Sequence, residues 1–564
     1  MKFEEMQYER PNIEAFANEI KPLLEQFESA SSWSEQDEIL TAINELRKKF
    51  ETQGQLAYVR HSINTKDEFY QAEQEFIDEA EPVYQQYITD YYRVLVNSKF
   101  RSELEGKWGA QLFRLAEYSL KTFSPDIIPE LQQENKLITE YKKLIASCKI
   151  QFEGEERTLA QMTPFQQSPD REMRKRAWEA TSGFMSDNES EFDRIYDELV
   201  KLRTSMAKKL GFNSFVELGY ARMQRIDYNA AMVANFRNQV LEHIVPVATE
   251  LKKRQQKRIG VEELLYYDEN FSFKSGNPVP KGEMDWIVER GAKMYKELSP
   301  ETDEFFTFML DNGLMDLNAK PGKQSGGYCT FFGDHKAPFI FSNFNGTSGD
   351  IDVLTHEAGH AFQNYESRNL GAPEYAFPTF EAAEIYSMSM EFFTWPWMDL
   401  FFEEDADKYR FDHLASGLLF LPYGVSVDEF QHFVYEHPEA TPTERKQAWR
   451  DIERKYLPHR NYEGNMYLEQ GGFWQKQGHI YNTPFYYIDY TLAQICAFQF
   501  WKWMNEDRAA AWQSYLKVCR EGGSKSFTEL LKVAGLISPF EDGCVESVIG
   551  SITAWLDGVE DSSF

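Results

Sequence analysis

Cysteine is scarce in this chain. There are five in 564 residues (Cys148, Cys329, Cys496, Cys519 and Cys544), an odd number, widely spaced and without a CxxC pair. That spacing offers no disulfide framework and fits reduced thiols in a cytoplasmic protein. No apolar window is long enough to span a membrane. The opening MKFEEMQYERPNIEAF lacks a basic stretch followed by an apolar run, so no secretory leader is expected. Basic residues are in deficit, 60 against 91 acidic, for a net charge of −31. Such a surface repels nucleic acid and anionic membranes, and neither is expected as a partner. Low-complexity linkers and fixed-period repeats are also missing.

Apolar and aromatic material is plentiful. Hydrophobic residues make up 42% and aromatics 15%, with 30 Tyr and 44 Phe. That is enough for a sizeable core, and it suits aromatic-lined clefts. The length exceeds one ordinary domain and implies two lobes or one large helical body. Residues 12–148 read as successive amphipathic helices. Ile39, Ile43, Leu46 and Phe50 recur at helical spacing, and Ser32 with Glu35 fits a capping box. Around 149–165 the pattern breaks into a small hairpin turning at Glu153-Gly154. Ser168 as N-cap with Pro169 at the first helical position opens another helix, and a long helical stretch from Asn188 stops at Gly211. A soft boundary falls near residue 190, giving an N-terminal helical lobe (1–190) and a second lobe (191–564).

Residues 320–350 change character, with Gly, Phe and turn pairs. Two short strands are expected, GYCTFF and APFIFSNF, closed by an Asn345-Gly346 turn. Pro338 argues that the second is an edge strand, or at least not central. An edge strand beside an active site can pair with an extended peptide. On that reading Phe339, Phe341, Asn343 and Gly346 are the candidate substrate contacts.

The segment that follows holds His356-Glu357-Ala358-Gly359-His360. Residues i and i+4 share a helix face, so both imidazoles can point at one ion about 2 Å away. Glu357, one residue on, can reach a metal-bound water. Ser348 or Asp350 can cap the helix. A catalytic zinc usually takes a third protein ligand. Position 366 is Glu, so the metzincin pattern is not met. A second helix near Thr379 carries Glu381, Glu384 and Glu391. Packed antiparallel to the first, it can deliver either Glu381 or Glu384, and spacing does not choose between them.

Three motifs carry a family likeness: the HExGH helix, EIYSMSME (Glu384–Glu391) with its Glu-x-x-Ser-x-x-x-Glu pattern, and GHIYNTPFYYIDY (Gly478–Tyr490). Through them the chain resembles the thimet oligopeptidase–oligoendopeptidase F family of zinc peptidases, most closely its bacterial oligoendopeptidase F and Pz-peptidase branch. Weaker likeness extends over roughly residues 150–550. The resemblance implies one Zn2+ held by His356, His360 and Glu384, with Glu381 and Glu391 as neighbours that could orient the histidines. It implies that Glu357 takes a proton from the zinc-bound water and passes it to the leaving amine. It assigns His479 and Tyr490, with Tyr486 or Tyr487, as donors to the oxyanion. Gly464, Gly471, Gly472 and Gly478 would let that segment move over substrate. One departure is Gln363, where many members carry a further His. The implied fold is mostly α-helical, a two-lobed neurolysin-like body around a deep channel that admits unfolded oligopeptides, with a small sheet beside the active site.

Two alternatives stay open. One is a zinc carboxypeptidase on a related helical scaffold. The other, of a different class, is a non-catalytic helical binding protein in which HEAGH is incidental. An aminopeptidase lacks support because no GxMEN segment is present. Cobalt or manganese could replace zinc, although two His and a Glu in a hydrolase favour zinc.

Overall fold

Ser32 accepts a hydrogen bond from the Glu35 amide and starts helix α1 (Trp33–Ile63), while the Glu35 carboxylate accepts from the Ser31 amide. Ile39, Ile43 and Phe50 are buried as their spacing predicts, and Leu46 packs at the margin of the same cluster. That cluster also takes in Ala372 and Tyr375 from a much later loop. The computed structural model describes residues 1–320, 322–324 and 326–564. Most of them are helical.

Strands β1 (Ile150–Phe152) and β2 (Glu155–Arg157) pair antiparallel across Glu153 and Gly154, both at positive φ, as the hairpin reading requires. Helix α2 (Arg171–Asp187) is capped by Asp170, which accepts from the Glu172 amide. The cap is therefore not Ser168: its hydroxyl accepts instead from the Asp170 amide, fixing the turn ahead of the helix. Helix α3 (Glu189–Lys209) ends just before Gly211, which has φ 82°.

The second sheet is built from β3 (Met315–Asn318), β4 (Tyr328–Phe332) and β5 (Ala337–Phe344), in the order β3-β5-β4. Two expectations are corrected here. Residues 333–336 close the β4–β5 hairpin, and Asn345-Gly346 instead joins β5 to the next helix. Strand β5 is central, not an edge: it pairs parallel with β3 and antiparallel with β4. Pro338 is tolerated because the β3 pairing begins only at Ile340, beyond the residue that lacks an amide hydrogen.

Helices α4 (Gly349–Ser367) and α5 (Phe380–Phe393) pack against one another. Asp350 does not cap α4. Its carboxylate accepts from the Asn345 and Gly346 amides and braces the preceding turn. Gly359 permits the close crossing, because a Cβ there would lie 2.6 Å from both Ser387 Cα and Tyr386 O. Further on come the short helix α6 (Gly478–Asn482) and the long α7 (Tyr487–Glu506).

The chain forms two compact units. One comprises Met1–Lys121, Val279–Ala406 and Cys496–Ile537; the other comprises Thr122–Pro278, Asp407–Ile495 and Ser538–Phe564. Residue 190 lies in the first turn of α3, inside the second unit. All five cysteines are free. Among the described residues no helix is long and apolar enough to cross a membrane.

Candidate metal centre

Within the first unit, α4 and α5 bring together His356, His360 and Glu384, whose ligand atoms all lie within 4.8 Å of one another. Glu384 Oε2 is 3.2 Å from His356 Nε2 and 3.6 Å from His360 Nε2. Of the two glutamates that spacing allowed, Glu384 converges on the histidines. Glu381 lies one turn earlier, buried at 1% exposure, and is not part of the trio. The registers run in opposite senses: His356 reaches Glu391, whereas His360 lies by Ala383.

Each ligand candidate is held by a neighbour. His356 Nδ1 lies 2.7 Å from Glu391 Oε1, an arrangement that fixes the ring and leaves Nε2 for the centre. Ser387 donates to Glu384 Oε2 at 3.0 Å and to the Glu384 carbonyl at 3.1 Å. The sequence carried a signal for that contact in the Glu-x-x-Ser spacing, one helical turn apart, but no role was read from it. Gln363 faces away, donating to Ser367 Oγ and the Ala376 carbonyl.

The electrostatics suit a cation. Burial disfavours charge on His356, yet its hydrogen bonds to Glu384 and Glu391 hold its pKa well above the usual imidazole value. Positive charge is thus favoured between the two carboxylates, and a divalent ion would supply it. Burial lowers His360 to about 4, keeping it neutral with a free lone pair. Burial also pushes Glu357 up to about 7. Its Oε2 is buried and has no hydrogen-bond partner among the described residues. Two imidazole nitrogens, one carboxylate and this orphaned acceptor fit a catalytic zinc set. Cys329 lies close by, its thiol pushed up by burial and by the Glu357 charge, so it is no nucleophile at neutral pH.

Candidate substrate contacts on β5 are corrected. Phe339 and Phe341 are 1% and 0% exposed. Phe339 packs on Phe3 and Phe332, and Phe341 stacks on Tyr328 at 4.7 Å. Both rings are packed away in the core, so neither is open to a ligand. Asn343 donates to the carbonyls of Gln324 and Gly326, and Gly346 sits in the turn braced by Asp350.

In the second unit His479, Tyr486, Tyr487 and Tyr490 form one cluster. The His479 ring centroid is 5.9, 5.1 and 5.8 Å from those of the three tyrosines in turn. His479 Nδ1 is 2.8 Å from Gln477 Nε2. Buried arginines fix the backbone beneath. Arg203 donates to the Tyr481 carbonyl, and Arg225 to the Phe485 carbonyl and, at 2.7 Å, to Asp489. Phe485, at φ 69°, is held in an uncommon conformation by the Gln431 side chain, which accepts from its amide at 2.9 Å. Two of the flanking glycines, Gly471 and Gly472, serve packing. A Cβ on Gly471 would meet Lys446 O at 2.0 Å, and one on Gly472 would meet the Tyr467 ring at 2.3 Å.

Residues 165–548 match the sequence profile of Peptidase family M3, and residues 3–123 match that of the Peptidase M3 N-terminal domain. A structure of Pz peptidase A with an inhibitor is similar over the whole of both chains, at 65% identity and a TM-score of 0.95. A Bacillus anthracis str. Ames structure described as an oligoendopeptidase F is 61% identical with a TM-score of 0.91, covering 100% of this chain and 99% of its own. A Borreliella burgdorferi oligoendopeptidase F homolog is 24% identical over 433 residues, 72% of this chain and 70% of the relative.

Proposed function

Since the chain belongs to peptidase family M3 and is a metallo-oligopeptidase, we propose that it is a zinc endopeptidase that hydrolyses internal bonds of short unfolded oligopeptides. The observation that carries this reading is the convergence of His356, His360 and Glu384 beside a buried, unpartnered Glu357 oxygen. His356, His360 and Glu384 would hold the ion. When bound, zinc supplies Lewis acidity, polarising the scissile carbonyl and lowering the pKa of a neighbouring water to about 7.

The chain's own groups do the rest. Glu391 sets the His356 ring and Ser387 sets Glu384. Glu357 accepts a proton at Oε2 and returns it to the leaving amine. His479 and the O–H groups of Tyr486, Tyr487 and Tyr490 are the proposed donors to the developing oxyanion. A Tyr O–H donates without ionising at neutral pH.

The test is mass spectrometry of products from peptides blocked at both ends, with and without chelator, alongside Glu357→Gln. Internal cuts made by the unsubstituted protein alone, and lost with chelator, support the reading. Trimming restricted to peptides with free C-termini would instead favour a carboxypeptidase. No cleavage of either set would return HEAGH to a structural role.

A further inference from the structure

The backbone passes close to Glu357 at Gly327. A Cβ there would lie 3.6 Å from Glu357 Oε1 and 3.4 Å from Phe341 O. Gly327 immediately precedes β4, the outer strand of its sheet. An extended peptide brought to Glu357 therefore runs beside Gly326–Tyr328. Gly322 and Gly326 have φ of 81° and 94°, in a region glycine enters freely and leaves as freely.

Gly322 and Gln324 are tied to Thr65 and Ser62 by hydrogen bonds, and two further side chains brace the loop. The Lys323 side chain is fully buried, and its ammonium donates to Asp316 Oδ1 at 2.5 Å and to the carbonyls of Asp316, Asn318 and Ser342. It therefore ties its loop to the end of β3 and to β5 at once. Asn343, on β5, donates to the carbonyls of Gln324 and Gly326, both at 2.8 Å. A buried ammonium is unfavourable unless fully paired, and this one, carried on the loop that leads to Gly327, spends its donors on β3 and β5.

We propose that Lys323 and Asn343 are positioning residues for peptide hydrolysis, holding Gly326–Tyr328 beside Glu357 and so setting how a bound peptide meets that carboxylate. The proposal rests on the endopeptidase reading above. It is tested with Asn343→Ala and Lys323→Met in the full-length, metal-loaded protein, reading kcat, KM, bound metal and Tm. Affinity for an uncut blocked peptide is measured by calorimetry in the Glu357→Gln background, with and without Asn343→Ala. Asn343 is partly exposed, so its variant should fold even if Lys323→Met does not.

The expected result is a fall in kcat/KM of about 10- to 100-fold per bound metal, the scale of a misplaced substrate. Weaker peptide binding should accompany it, at unchanged metal content. Unchanged kcat, KM and affinity in the Asn343 variant would overturn the proposal, as would a loss of activity fully accounted for by lost metal. Failure of the unsubstituted protein to cut blocked peptides would remove the underlying reading and this proposal with it. Cutting by the unsubstituted protein, with the Asn343 variant indistinguishable from it, would remove this proposal alone.

Discussion

Glu357, Glu384 and Glu391 are the same residue type within two adjoining helices, and their surroundings divide the work. Glu384 is drawn to both histidines and pinned by Ser387. Glu391 is engaged by His356 Nδ1, whereas Glu357 keeps one buried oxygen unpartnered. Glu357→Gln preserves shape and removes the proton acceptor. It should retain metal and lose about 10²- to 10⁴-fold in kcat, checked by steady-state kinetics with metal analysis of the same sample. Glu391→Gln should act on the ion instead, weakening metal affinity by about 10- to 100-fold, checked by competition with a chromophoric chelator. The convergence of the two histidines was legible because i, i+4 spacing fixes a shared face. The choice of Glu384 over Glu381 was not legible from spacing, since it depends on how α5 is rotated against α4, and came only through the family resemblance of EIYSMSME. The misplacement of Phe339 and Phe341 has a related cause: period-2 alternation says which residues share a face but not what covers that face.

At the level of elements, α4 and α5 were both readable as helices, but their crossing is set by a residue without a side chain. Gly359 lets α4 come so close to α5 that a methyl group would press on Ser387 Cα and Tyr386 O, backbone atoms that cannot swing away. Gly359→Ala should therefore destabilise by about 1–3 kcal/mol and spread the metal ligands, lowering both Tm and metal stoichiometry. Gly183 in α2 is the control, because a Cβ there meets nothing within 4 Å. Gly183→Ala should stabilise by up to about 1 kcal/mol and leave metal binding untouched. A fall in Tm of equal size for both would refute the packing account of Gly359. The order of the sheet escaped the sequence for a reason of the same kind. Pro338 signals only that its own position cannot donate, and β5 satisfies that by starting its pairing with β3 later, at Ile340.

Across the whole molecule, each compact unit draws on three separated stretches of chain. At 121/122 and 495/496 the chain passes from one unit to the other within a helix, so those crossings leave no mark that a reading of linkers could find. Net charge is legible at this scale: −31 over the chain. A field of that sign raises the local concentration of cationic ligands and lowers that of anionic ones, and salt weakens it over a screening length of about 10 Å at 0.1 M. Two blocked peptides of equal length sharing one cleavage site, one lysine-rich and one glutamate-rich, should therefore diverge. Raising ionic strength should lower kcat/KM for the first and leave level or raise it for the second. Salt could also act by loosening the metal or the fold, but either effect would move both peptides together. The ratio of the two kcat/KM values, followed across ionic strength in one enzyme preparation, isolates the charge term. A ratio that does not change with salt would mean that the acidic surface plays no part in gathering substrate and serves solubility alone.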